Sequence, residues 1–153
     1  MDAWKHGHEF TTFVKSLSMK KAIFNPGKHT NPASIALLIY RLAFSMMMIT
    51  HGLPKLINFG TKSETFADPF GIGSTFSLIL VVFAEFFAPM FVIIGLATRV
   101  AVIPIIVTMA VAAFSIHAGD PFADKEMALL YLTAFTGILI AGAGKFSVDA
   151  MIK

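Results

Sequence analysis

The sequence predicts an all-α integral membrane protein, a four-helix bundle preceded by an amphipathic N-terminal segment. Three observations carry that reading. Apolar residues fill 56% of the 153 positions and charged residues only 14%, whereas a soluble domain carries about 25% charged residues to cover its surface. The mean hydropathy is +0.77. Four apolar runs are each long enough, at about 1.5 Å per residue, to cross a hydrocarbon core of about 30 Å. Sixteen Phe and nine Met exclude a disordered chain. A net charge of +3, with no basic cluster in the folded part, is not the footprint of a nucleic-acid partner. The chain has no Cys, which excludes a disulfide framework, a thiolate nucleophile and Cys-ligated metal centres.

The first unit is residues 1–32, read as a cytoplasmic interfacial segment. No cleavable signal peptide is expected, because the first long apolar run begins only near Ala33. Phe10, Phe13, Val14 and Leu17 fall on one helical face among Lys5, Lys15, Lys20 and Lys21. An apolar stripe opposite cations suits a helix lying on an anionic membrane surface; a partly ordered tail with ordinary flanking charge is the plainer alternative. Asn25-Pro26-Gly27 and Asn31-Pro32 then break the chain before the first span.

The second unit, residues 33–153, holds the spans. They are expected at Ala33–Leu53, ending at His51-Gly52-Leu53-Pro54, then at Thr75–Ala97, Val100–Ala118 and Glu126–Ala143. A turn at Thr98-Arg99 makes the second and third an antiparallel hairpin. A polar loop with Lys62, Glu64, Asp68 and Pro69 follows the first span, and the acidic loop Gly119–Asp124 precedes the fourth. One side of the membrane receives Lys5, Lys15, Lys20, Lys21, Lys28, Arg99, Lys145 and Lys153, and the other only Lys55, Lys62 and Lys125. The asymmetry places both termini in the cytoplasm.

Ionisable residues within spans are functional candidates, since a charge facing lipid costs several kcal/mol. Arg41 is expected roughly 12 Å from the cytoplasmic end of its span and Glu85 roughly 18 Å from the same end. The difference is about one Arg side chain, so the two are expected to meet. They read either as an ion pair locking two helices or as a protonatable group in a binding cavity. His51 and His117 close the first and third spans at similar heights, Glu126 opens the fourth, and Asp120 and Asp124 lie just above. This ring reads either as helix-end capping or as a pocket that holds a polar head group or moves protons. Tyr40, Phe44, Met47 and His51 share one helical face, so Tyr40, Phe44 and Met47 become candidates for an apolar cofactor wall beneath the polar mouth. No HxxxH or HxxE spacing occurs, and no metal is assigned. Dinucleotide, P-loop and nucleophile-elbow motifs are absent.

Several short motifs occur in a telling order: Tyr40-Arg41-Leu42, His51-Gly52-Leu53-Pro54-Lys55-Leu56, Phe83-Ala84-Glu85, Gly95-Leu96-Ala97-Thr98-Arg99, and Gly142-Ala143-Gly144-Lys145-Phe146-Ser147-Val148-Asp149. Together with Met109, His117 and Glu126 they resemble the DoxX family of small four-helix membrane proteins, over roughly Ile35 to Asp149. The family's polar positions fall on Arg41, His51, Lys55, Glu85, Arg99, His117 and Glu126. Relatives in that family include a membrane subunit of a thiosulfate:quinone oxidoreductase and members of membrane-associated oxidative-stress complexes. The resemblance therefore implies a bacterial inner-membrane protein that binds quinone and serves a soluble or membrane redox partner, with oligomerisation open. A non-catalytic scaffold, cargo-binding or small-solute transport module is the alternative. The missing Cys argues against thiol exchange.

Overall fold

A computed structural model describes residues 23–152. The amphipathic stripe Phe10–Leu17 lies outside the described residues. The remainder is helical, without strands among the described residues. In chain order the helices are α1 (Asn31–Ile57), a short α2 (Phe59–Lys62), α3 (Ser74–Ile94), α4 (Thr98–Ile116), α5 (Phe122–Ala141) and a short α6 (Val148–Ile152). Three of them, α1, α3 and α4, are long and apolar enough to cross a membrane. Helix α5 is 20 residues long but opens on Asp124, Lys125 and Glu126.

The four long helices share one core. Met48 of α1, Val92 of α3, Val102 and Ile105 of α4, and Tyr131, Phe135 and Ile138 of α5 are buried together. Large apolar side chains such as Ile39, Met46, Phe83, Val107 and Ile140 point outward and are exposed, the inverse of a water-facing surface. The far end of the bundle carries the loop 58–73 and the turn 117–121. The near end gathers residues 25–31, 95–99 and 141–149.

Helix α1 departs from its expected stop at Pro54 and runs one turn further, to Ile57. A proline removes one backbone donor and usually bends a helix. Here that last turn carries Lys55 to an ion pair with Glu85, which gives the extension a reason to persist. The α3–α4 turn also differs from expectation. It is made by Gly95, Leu96 and Ala97, whereas Thr98 and Arg99 already belong to α4. Gly95 has φ 71° and Ala97 φ 47°, left-handed values costly for a residue with a Cβ. The buried carboxylate of Asp149 holds this turn, accepting from Ala97 N at 2.6 Å and Thr98 N at 3.0 Å.

Helix α3 widens into a π-helical turn over Phe83–Phe87. Pro89 follows it, and the ring of a helical proline collides with the carbonyl four residues earlier, here that of Glu85. The wide turn relieves the collision and leaves Glu85 buried at the surface of α1. A second π turn, Ala112–Ile116, ends α4.

Candidate functional site

Helices α1 and α3 run antiparallel in a register that two glycines fix. A Cβ on Gly52 would meet the backbone of Glu85 and Phe86, and one on Gly95 would meet the side chains of Arg41 and Ser147. Position 41 is therefore level with 95 and position 52 with 85. Eleven residues of α1 separate the two levels, about 16 Å at the helical rise. The expected Arg41–Glu85 pair does not form, because that distance is more than twice the reach of an Arg side chain. The expectation used depths measured from span ends, and α1 begins before and ends after its apolar run.

Each group has another partner. Glu85 forms its ion pair with Lys55, whose side chain is 25% exposed against 7% for Glu85. Arg41, wholly buried, donates from Nη2 to the carbonyl of Phe146 at 2.6 Å and feels the charge of Asp149. Its Nε and Nη1 have no partner. Arg99 donates from Nη2 to the carbonyl of Ile140 at 3.1 Å, closing the C-terminal end of α5. Arg41 and Arg99 thus belong to the near end and stand apart from the other candidates.

Lys55, Glu85, His51 and His117 come together at the far end, around two adjoining cavities. The larger, about 400 Å³, has walls from α3, α4 and the 58–73 loop, including Phe66, Phe70, Leu80 and Val111. The smaller, about 140 Å³, lies between α1, α4 and α5 and is lined by Met48, His51, Met109, Asp124, Met127 and Tyr131. Lys55, Glu85, Ala112 and His117 line both. The ion pair therefore stands where the chambers meet. Both π turns border the cavities, through Glu85 and through Ala112 and Ile116; such turns concentrate at functional sites.

His117 pairs through Nδ1 with Asp120 Oδ2 at 2.8 Å. His51 sets its ring edge-on to Tyr131, centroids 5.5 Å apart. Glu126 is exposed and lines neither cavity; Asp124, two residues earlier, takes the place expected of it. Tyr40 and Met47 are exposed on the outer face. Phe44 packs against Tyr40 and Tyr131, ring centroids 4.5 Å and 6.3 Å away. The apolar wall is instead built by Met48, one position on, and by residues of α3 and α4. Tyr131 went unnoticed in the sequence because nothing in its spacing marks it. Among the described residues no three His, Asp or Glu side chains converge on a metal site.

The outer wall of the larger cavity is organised by Asp68. Its carboxylate accepts from Ile72 N (3.1 Å), Gly73 N (2.7 Å) and Ser77 Oγ (2.9 Å). Desolvation pushes this carboxyl up, but the hydrogen bonds from Gly73, Ser77 and Ile72 together outweigh it and leave Asp68 below the usual aspartate value. A lowered folded-state pKa contributes order that is complete above the ordinary aspartate range and disappears as pH falls through the lower value. Acidification through that window is expected to lower the protection of amides at residues 66–73, measured against the intrinsic exchange rate at each pH, and Asp68→Asn to remove that change in protection. Equal acid sensitivity in the variant would mean that other groups hold the loop.

A family model described as DoxX matches residues 36–118. An uncharacterized protein of Haemophilus influenzae is 27% identical over 129 residues, covering 79% of this chain and 85% of its own length. No solved structure gives a significant match.

Proposed function

Because the chain belongs to the DoxX family of membrane proteins, we propose that it is a membrane subunit of a redox system that binds a quinone or similar amphipathic molecule at the far end. The observation that supports this reading is the cavity of about 400 Å³ with Phe and Leu walls and the half-buried Lys55–Glu85 pair at its base. A mostly apolar pocket with a few convergent polar groups is the usual form of a small-molecule site. Glu85, Lys55 and His117 would hold the head group and exchange protons, and Arg41 and Arg99 would maintain the scaffold. In this reading α5 is the fourth span and both termini face the cytoplasm of a bacterial inner membrane. Thiols introduced at 99 and at 62 should then be labelled from opposite sides.

Titration of a decyl-tailed benzoquinone into the purified protein tests the binding. Saturable uptake is expected, abolished by Thr108→Trp in the cavity wall and weakened about fivefold by His117→Ala, the loss of one hydrogen bond. Absence of saturable uptake in the wild-type protein would overturn the reading and favour a scaffold or transport role.

A further inference from the structure

We infer that the smaller chamber is the head-group compartment of this site and takes an uncharged ring bearing oxygen, with the Tyr131 hydroxyl as its hydrogen-bond donor. The inference rests on the ligand reading above and assigns the half of the site that reading leaves open. Tyr131 is 2% exposed and lines the smaller chamber. Among the described residues its hydroxyl is not one of the polar atoms sealed inside the protein without a partner, so it is open to the chamber that the ring lines. A ligand oxygen in the chamber would meet this donor and form a hydrogen bond worth about 1 kcal/mol.

The ring of Tyr131 is fixed on three sides. Phe44 lies edge-on with centroids 6.3 Å apart, His51 edge-on at 5.5 Å, and Phe135 stacks at 6.3 Å. A donor clamped in this way sacrifices little rotational freedom on binding. The chamber's charges select against an ionised head. Lys55 is already neutralised by Glu85, and Asp124 adds a further carboxylate to the lining. With Lys55 and Glu85 cancelling each other, an anionic head group would meet the unbalanced carboxylate of Asp124, beside the imidazoles of His51 and His117. A neutral carbonyl or phenol meets none of that penalty. Met48, Met109 and Met127 complete the wall, and flexible thioethers adapt to a flat ring. At about 140 Å³ the chamber admits one six-membered ring, and the adjoining larger cavity has room for the tail.

Three probes with the same alkyl chain separate the possibilities: decyl-benzoquinone, decylbenzene and decanoate. In the wild-type protein the quinone should bind more tightly than decanoate. Tyr131→Phe, which keeps the packed ring, should weaken the quinone about fivefold, leave decylbenzene unchanged and leave the melting temperature in place. The infrared carbonyl band of the bound quinone should sit at lower frequency in wild type than in Tyr131→Phe. Quinone affinity within twofold of wild type in Tyr131→Phe, or equal loss for quinone and decylbenzene, overturns the assignment. So does tighter binding of decanoate. If that happens while Thr108→Trp still abolishes quinone uptake, only the compartment is misassigned. If the wild-type protein takes up no quinone, the ligand reading itself fails.

Discussion

Replacing Asp149 by alanine is expected to lower the unfolding free energy by roughly 2 kcal/mol. Two costs combine. The carboxylate caps the first turn of α4 at Ala97 and Thr98, and deleting a cap costs about 1 kcal/mol. It is also the opposite charge acting on Arg41, a guanidinium with no solvent exposure and two unpartnered nitrogens. Arg41 and Asp149 are not in salt-bridge contact, so losing the attraction adds only about 1 kcal/mol, less than a contact pair would. Arg41→Met in the Asp149→Asn background should recover much of the loss, since no buried cation then remains. Chemical unfolding in detergent measures both. A loss below about 1 kcal/mol in Asp149→Ala would show that Arg41 is neutralised elsewhere.

The second expectation reverses an ordinary sign. An alanine in place of a mid-helix glycine usually stabilises by up to about 1 kcal/mol. Gly52→Ala is expected to destabilise by about 2–3 kcal/mol instead, the cost of overpacking a filled interface. A Cβ at position 52 would lie 2.6 Å from the carbonyl carbon of Glu85 and 2.8 Å from Phe86 N. These are backbone atoms, so α3 itself must shift, and Glu85 moves away from Lys55 with it. Gly137→Ala on α5 is the comparison, because a Cβ there meets nothing within 4 Å; it should stabilise. The same sign at both positions would contradict the close approach of α1 and α3.

The helices were legible because apolar runs of this length have few alternatives, and their ends fall within about four residues of those expected. Partner choice was not legible from depth alone. It depends on register, and register is set by Gly52 and Gly95, where one backbone touches another chain segment. A cue did exist. Ser34, Arg41, Ser45, Met48 and Gly52 are the buried residues of α1, and Lys55 continues their spacing of three and four. Small and polar residues along one face of an otherwise apolar helix mark the side that meets protein instead of lipid. Read that way, Lys55 joins Gly52 on the buried face and becomes the partner nearest Glu85. The role of the Gly142–Asp149 motif was hidden for a different reason. Its carbonyls and carboxylate act on residues about 50 to 105 positions away, beyond any local pattern.

That separation has a consequence in time. Arg41 and Phe146 are 105 residues apart, and chain synthesis proceeds at about 5–20 residues per second. Roughly 5–20 s pass between the ribosome making the guanidinium and making the carbonyl that receives it. During that interval the first long helix carries an unanswered positive charge on the face destined for the core. Arg41 therefore gains its carbonyl partner only once the C-terminal segment has been made.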